Sequence, residues 1–323
     1  MEILKFDKPI GFMQNARKFS VLSILLVLVS WGLFATKGFN YGIDFAGGTL
    51  VQVKYDSKAP VEKVRDILNN TQEFKGANVT FFGSEEEIII KIKTVSTAVG
   101  DDIGDRIHKI IKDTGNFEIR RVDMVGPKVG NELKEKGIMA MLLAIIGILI
   151  YVSFRFEWRF ALASVMALIH DISIVIGAIV LFKIEVNLDI LAAMLTILGY
   201  SLNDTIIVFD RIREGIHSVK SPNLENVIDD SVTKTLSRTT LTSLTTFFVV
   251  LVLYLFGGEI INGFSFTLLV GVIVGTYSSI FVASPILMWL KFSVVDYRSK
   301  QAEKEKRERE KDKMRAQFEQ GTL

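Results

Sequence analysis

Six apolar runs divide this chain, and they constrain its fold more tightly than any motif in it. They cover residues 19–36, 137–154, 160–182, 188–209, 239–256 and 264–290. A helix needs about 20 apolar residues to cross the hydrocarbon core, where each backbone amide must find its partner within the segment. Each run is therefore expected to be a transmembrane helix. The first has Lys5, Lys8, Arg17 and Lys18 before it and no small-x-small cleavage site after it. It is expected to be an uncleaved signal anchor rather than a removed signal peptide.

The polar block at 37–135 is long enough for a domain of its own. Residues 48–55 are β-rich, and residues 60–69 have Val61, Val64, Ile67 and Leu68 at helical spacing. Residues 77–82 and 87–93 flank the turn pair Gly83-Ser84, which predicts a hairpin. Residues 97–112 place Ile103, Ile107, Ile110 and Ile111 on one helical face, and 117–125 close as a strand. This β-α-β-β-α-β order predicts a ferredoxin-like α+β domain. His108 stands apart from other chemistry, and the glycines of 42–48 are not expected to open a helix, which argues against a phosphate loop.

Charge in the short loops predicts orientation. The N-terminal segment 1–18, Arg155 and Arg159, the polar segment 210–238 and the tail 291–323 all carry basic residues and fall on one side. By the positive-inside rule both termini are cytoplasmic and 37–135 is exported, a one-plus-five arrangement of six helices with one large external domain after the first. Leu224, Val227, Ile228 and Val232 share a helical face, so 210–238 is expected to lie along the membrane surface as an amphipathic segment. The tail mixes Lys, Arg and Glu with too few apolar positions for a core. The net charge of +2 is interleaved, which gives no nucleic-acid surface, and the absence of Cys excludes disulfides and thiol chemistry.

The ionisable residues inside the runs are the functional candidates. Asp204 lies six residues before Asp210, about 9 Å inside the start of the charges. A carboxylate there costs roughly 2.5–3.5 kcal/mol on insertion scales. It is either satisfied by neighbouring helices with no further role or a titratable group in an ion path. Tyr200, Ser201, Asn203 and Thr205 surround it, and Arg238, Thr242, Thr245 and Thr246 form a polar stripe on the next helix. Asp204 and Arg238 are expected at similar depth, where an ion pair would form; alternatively Arg238 reaches to the headgroups. His170-Asp171 lie mid-run and are either a proton carrier with its partner or a buried structural pair. Gly271-x-x-x-Gly275 in the last run permits close helix approach.

These residues carry a resemblance. Gly42-Ile43-Asp44-Phe45-Ala46-Gly47-Gly48-Thr49, Val125-Gly126-Pro127, His170-Asp171, the stretch 199–214 and Ser237-Arg238-Thr239 resemble the signatures of the SecD/SecF family of protein-export subunits. The short external block and Asn203-Asp204-Thr205 are similar to its SecF branch. The resemblance implies membership of the resistance-nodulation-division superfamily, pairing with SecD, and work beside the SecYEG channel with YajC on preproteins at the periplasmic side. It implies a proton relay through Asp204 and Arg238, with His170 and Asp171 as weaker members, coupled to H+ or, in some members, Na+. No further cofactor and no enzymatic activity are implied. The competing readings are a scaffold that stabilises SecD and the channel without transport, and a half-transporter of the same superfamily.

Overall fold

The structure, a computed structural model, describes residues 8–93, 103–218 and 223–319. The first positions of the predicted 97–112 helix, and parts of the predicted segments 1–18, 210–238 and 291–323, lie outside the described residues.

The chain enters the bundle through α1 (Ala16–Lys37) and leaves it by a short strand, β1 (Asn40–Tyr41), and a one-turn helix, α2 (Ile43–Ala46). The glycine-rich stretch therefore does open a helix, contrary to expectation: Gly42 sits at its N-cap, and the turn ends where Gly47 adopts φ +80°.

The domain that follows comprises β2 (Gly48–Tyr55), α3 (Val61–Asn70), β3 (Asn78–Phe82), β4 (Ser84–Ile92), α4 (Ile103–Ile111) and β5 (Phe117–Val125). Its antiparallel sheet has the order β3-β4-β2-β5, the ferredoxin-like arrangement. Alternation places Val51, Val53, Ile88 and Ile90 on one face, fully buried under Val64 and Leu68 of α3 and Ile107 and Ile111 of α4. The predicted apolar periodicities thus become the two halves of one core. Exposed His108 only packs its ring against Phe117.

The chain returns to the bundle through α5 (Pro127–Arg155) and continues through α6 (Trp158–Leu181), the two-residue strand β6 (Glu185–Val186), α7 (Leu188–Ser218), α8 (Leu224–Phe256) and α9 (Glu259–Ser278). A π-helical turn (Ser279–Ala283) joins α9 to α10 (Ser284–Trp289), and α11 (Val294–Glu319) forms the tail. Among the described residues six helices are long and apolar enough to cross a membrane. The spans of α6, α7 and α9 are at least half buried, whereas those of α1, α5 and α8 are mostly open. The exposed Leu, Val, Ile and Phe side chains of the outer three give the bundle the apolar outer surface of a multi-pass membrane protein.

The helices outrun the apolar runs. Helix α5 begins ten residues before residue 137, and α9 begins at Glu259 rather than 264. The segment 210–238 does not form a separate surface helix. It continues α7 outward and starts α8, and Val227, Ile228 and Val232 are buried in the same core as Ile212 and Ile216. Their shared face packs helix on helix instead of on lipid. The start of the tail is also anchored: Val294 and Tyr297 are buried, and Arg298 Nε donates to the Ile216 carbonyl at 2.5 Å.

Candidate functional site: a buried acidic centre and its external clamp

Close packing of α7 on α9 builds the centre. A Cβ at Gly271 would stand 2.3 Å from Ile197, and one at Gly275 would stand 3.0 Å from the Cβ of Ser201. The Gly-x-x-x-Gly spacing therefore lets two backbones approach and carries Ser201 and Ser278 toward α6. Both hydroxyls donate to Asp171 Oδ2, Ser201 at 2.5 Å and Ser278 at 2.8 Å. Asp171 Oδ1 lies 2.8 Å from His170 Nδ1. Neighbours on a helix point about 100° apart. His170 and Asp171 reconcile that divergence by bonding to each other, while Asp171, fully buried, reaches α7 and α9.

Asp204 is equally buried but poorly satisfied. Its Oδ2 accepts from Ser243 on α8 at 3.1 Å, and its Oδ1 meets no donor among the described residues. The Tyr200 hydroxyl, Thr239 Oγ1 and His170 Nε2 are also buried without a partner among the described residues. Such groups are costly in hydrocarbon, and they concentrate on the faces that α6, α7 and α8 turn inward. The π-turn directly follows Ser278, and its freed carbonyl at Ser279 accepts from the Ser284 hydroxyl at 3.2 Å.

The expected Asp204–Arg238 ion pair does not form. Arg238 is exposed and borders a cavity lined by charged residues instead. Thr239 and Ser243, one turn apart, occupy the buried face of α8, so Arg238, one residue earlier, is rotated away by about 100°. Thr242 is half-buried and bonds back to the Arg238 carbonyl, and Asn203 is exposed rather than part of the inner polar face. Thr205 is buried, with its hydroxyl on the Ser201 carbonyl. The sequence reading missed Ser243 and Ser278 as carboxylate donors. Thr239, Ser243 and Val250 are all buried and mark the inner stripe of α8, a rotation that the hydroxyls on its other face leave undecided in the sequence.

The glycine signature forms a clamp at the other end of α7. Gly42 N–H donates to the Val186 carbonyl at 2.8 Å, and β1 pairs in parallel with β6. Asp44 Oδ2 accepts from Leu188 N–H at 3.0 Å, which caps the first turn of α7. Gly47 packs against the Pro127 backbone, where a Cβ would come within 3.1 Å. Gly48 has φ +154°, and a Cβ there would lie 2.3 Å from the Ile92 carbonyl. Gly126 caps α5, and Pro127 opens it, where its missing N–H costs nothing. Lys91 and Asn78 of the sheet domain reach Glu185 at 3.6 and 3.4 Å. One strap thus ties the domain, α5 and α7 together.

The fold and site define a class: a polytopic helical membrane protein with a ferredoxin-like domain and acidic residues buried between its inner helices. Residues 106–293 match the model described as "Protein export membrane protein SecD/SecF, C-terminal", and residues 32–59 match the SecD/SecF GG motif. The chain is 51% identical over 323 residues to protein translocase subunit SecF of Helicobacter pylori strain J99, covering 100% of both. It is 46% identical over 306 residues to the subunit of that name from Vibrio alginolyticus, covering 94% of this chain and 97% of the other. Among solved structures, SecDF of Thermus thermophilus, a translocon-associated membrane protein, matches with TM-score 0.76 and 36% identity. That match covers 88% of this chain and 39% of the SecDF chain. The chain belongs to the SecF family of protein translocase subunits.

Proposed function

We propose that this chain assists protein translocation across the cytoplasmic membrane by coupling it to proton entry through Asp204. Asp204 carries the reading: it is a fully buried carboxylate with one protein donor and one unpartnered oxygen. Charged, it is poorly matched to its surroundings; protonated, it turns a hydroxyl toward them and loses its pull on Ser243. Asp171 differs. Three donors from three helices hold it, so it serves as the fixed point about which α7 and α8 rearrange. Each charge crossing about 100 mV supplies about 2.3 kcal/mol, enough to bias a two-state equilibrium by tens-fold.

Arg238 takes part from the rim of the bundle in this arrangement, and His170 stands between Asp171 and a cavity that Ser20, Ser23 and Trp31 of α1 also line. The domain moves with α7 because Asp44 and β1 hold the start of that helix. The partners are SecD, the SecYEG channel and YajC, with preprotein handled on the periplasmic side. Basic loops support cytoplasmic termini. The coupling ion is the proton, with sodium as the alternative.

The test is gradient-dependent preprotein import into inverted vesicles carrying this chain with SecD and the channel. Asp204→Asn keeps the shape and the Ser243 contact but cannot ionise. Loss of the gradient-dependent part, with assembly intact, is expected. Unchanged export would leave Asp204 a structural residue and favour the scaffold reading.

A further inference from the structure

The end of the bundle away from the sheet domain holds a cavity of about 700 Å³ between the end of α5, the outer part of α7 and the start of α8. Five cations line it: Arg155, Arg211, Arg213, Lys234 and Arg238. Among the described residues its lining carboxylates are Asp210 and Glu214. Asp210 is shared by two guanidiniums, Arg155 and Arg213, each at 3.1 Å. Glu214 is taken by Arg211 at 2.7 Å, and Lys234 turns to Asp230 at 2.6 Å. Arg238 meets no carboxylate among the described residues. The lining therefore keeps a surplus of positive charge after its internal pairing.

The cavity is also placed for an amphiphile. Ile207 lines it one turn inside Asp210. Beside it, Tyr151, Phe154 and Trp158 project outward with 54%, 89% and 57% exposure. Exposed aromatic rings at the end of apolar helices mark the headgroup level of a bilayer, and basic pockets between helices at that level suit phosphate headgroups. Arg155 and Arg213 are held in advance, since both guanidiniums stack on the Phe156 ring, at 5.5 and 5.3 Å from its centroid.

We propose that this cavity binds the phosphate of an anionic phospholipid from the adjoining leaflet, with Lys234, Arg211 and Arg238 closing on its oxygens. An anion there neutralises the surplus charge and ties the α5–α6 turn to the α7–α8 pair. The site shares Arg238 with the proposed coupling, but its test changes only Arg211 and Lys234, so either assignment stands if the other fails.

The full chain, purified in neutral detergent and stripped of lipid, would be titrated with phosphatidylglycerol or phosphatidylcholine and read by native mass spectrometry. Preferential retention of one phosphatidylglycerol is expected. Replacing two cations, Arg211→Gln with Lys234→Gln, should weaken it by about 30-fold, taking about 1 kcal/mol per cation at the surface. The charge-preserving pair Arg211→Lys with Lys234→Arg should retain it, which separates lost binding from misfolding. Displacement by millimolar inorganic phosphate would identify phosphate itself as the ligand, and resistance to it would identify the lipid. Equal binding of the two lipids, or a phosphatidylglycerol preference that the neutral variant keeps, would overturn the assignment. In that case an acidic segment of a partner protein becomes the occupant to seek.

Discussion

Asp171 offers the sharpest test of the buried centre. Asp171→Ala removes the acceptor for Ser201, Ser278 and His170 at once. Hydrogen bonds between membrane helices average about 0.6 kcal/mol in double-mutant cycles, with a maximum near 1.7, so the two that cross to α7 and α9 amount to about 1.2 kcal/mol. The serines should differ. Ser278 also donates to the Gly275 carbonyl of its own helix at 3.1 Å and can fall back on it. Ser201, at 2.5 Å from Asp171, shows no such second acceptor, so its hydroxyl is stranded when the carboxylate goes. The Asp171→Ala/Ser201→Ala cycle should give a coupling of about 0.6–1.7 kcal/mol, and the corresponding Ser278 cycle a smaller one. Unfolding of the full chain in mixed micelles, titrated with SDS and followed by far-UV circular dichroism, measures both. Additivity of Asp171 and Ser201 to within about 0.3 kcal/mol would refute the bond as an energetic link between α6 and α7.

The clamp makes its own predictions. Asp44→Ala strips the Leu188 amide of its acceptor, while Asn187 still caps α7 through the Ile190 amide, and should cost about 0.5–1.5 kcal/mol locally, seen as faster hydrogen exchange at the Leu188 amide. Protection unchanged there would remove Asp44 as a cap. Gly48→Ala forces a Cβ to 2.3 Å from a carbonyl oxygen, at a backbone angle that L-residues rarely adopt. It should destabilise the β2–α2 junction by about 1–3 kcal/mol from overpacking and as much again from strain, visible as proteolysis of the domain at lower temperature. In the sheet domain, burial raises the Tyr55 phenol above its usual value despite its contact with Thr114. Its contribution is therefore complete below pH 10 and is lost as pH rises through the shifted value. Tyr55→Phe should flatten the alkaline fall in stability, and an identical fall in both proteins would exclude Tyr55 as its source.

Much of this fold is legible because its hydrophobic patterns have one interpretation each. Eighteen or more apolar residues between charges need a membrane, and Val61, Val64 and Leu68 at helical spacing need one sheet face. Where helices stop was less legible. Apolar length marks the bilayer, whereas hydrogen bonding continues wherever Leu133, Ile216 or Val227 finds a neighbour to pack on. Helix rotation was the harder gap. Both faces of α8 carry hydroxyls, so composition alone favoured the stripe led by Arg238 over the one led by Thr239. Only the close approach of neighbouring helices chooses between them. Two-residue elements such as β1 and β6 carry no periodicity at all, and their pairing depends on contacts between positions 40–41 and 185–186.

The cap at Leu188 gives α7 the geometry of a lever. Asp204 lies sixteen residues further along the same unbroken helix, about 24 Å from the fixed end. If the buried end is the pivot, a 10° tilt of the rod sweeps the strap sideways by about 4 Å. The sheet domain rides on that strap, and its far edge travels further still. On the proposed coupling, a change confined to one carboxyl group in the bilayer has a stroke beyond the bundle comparable to one residue of extended chain.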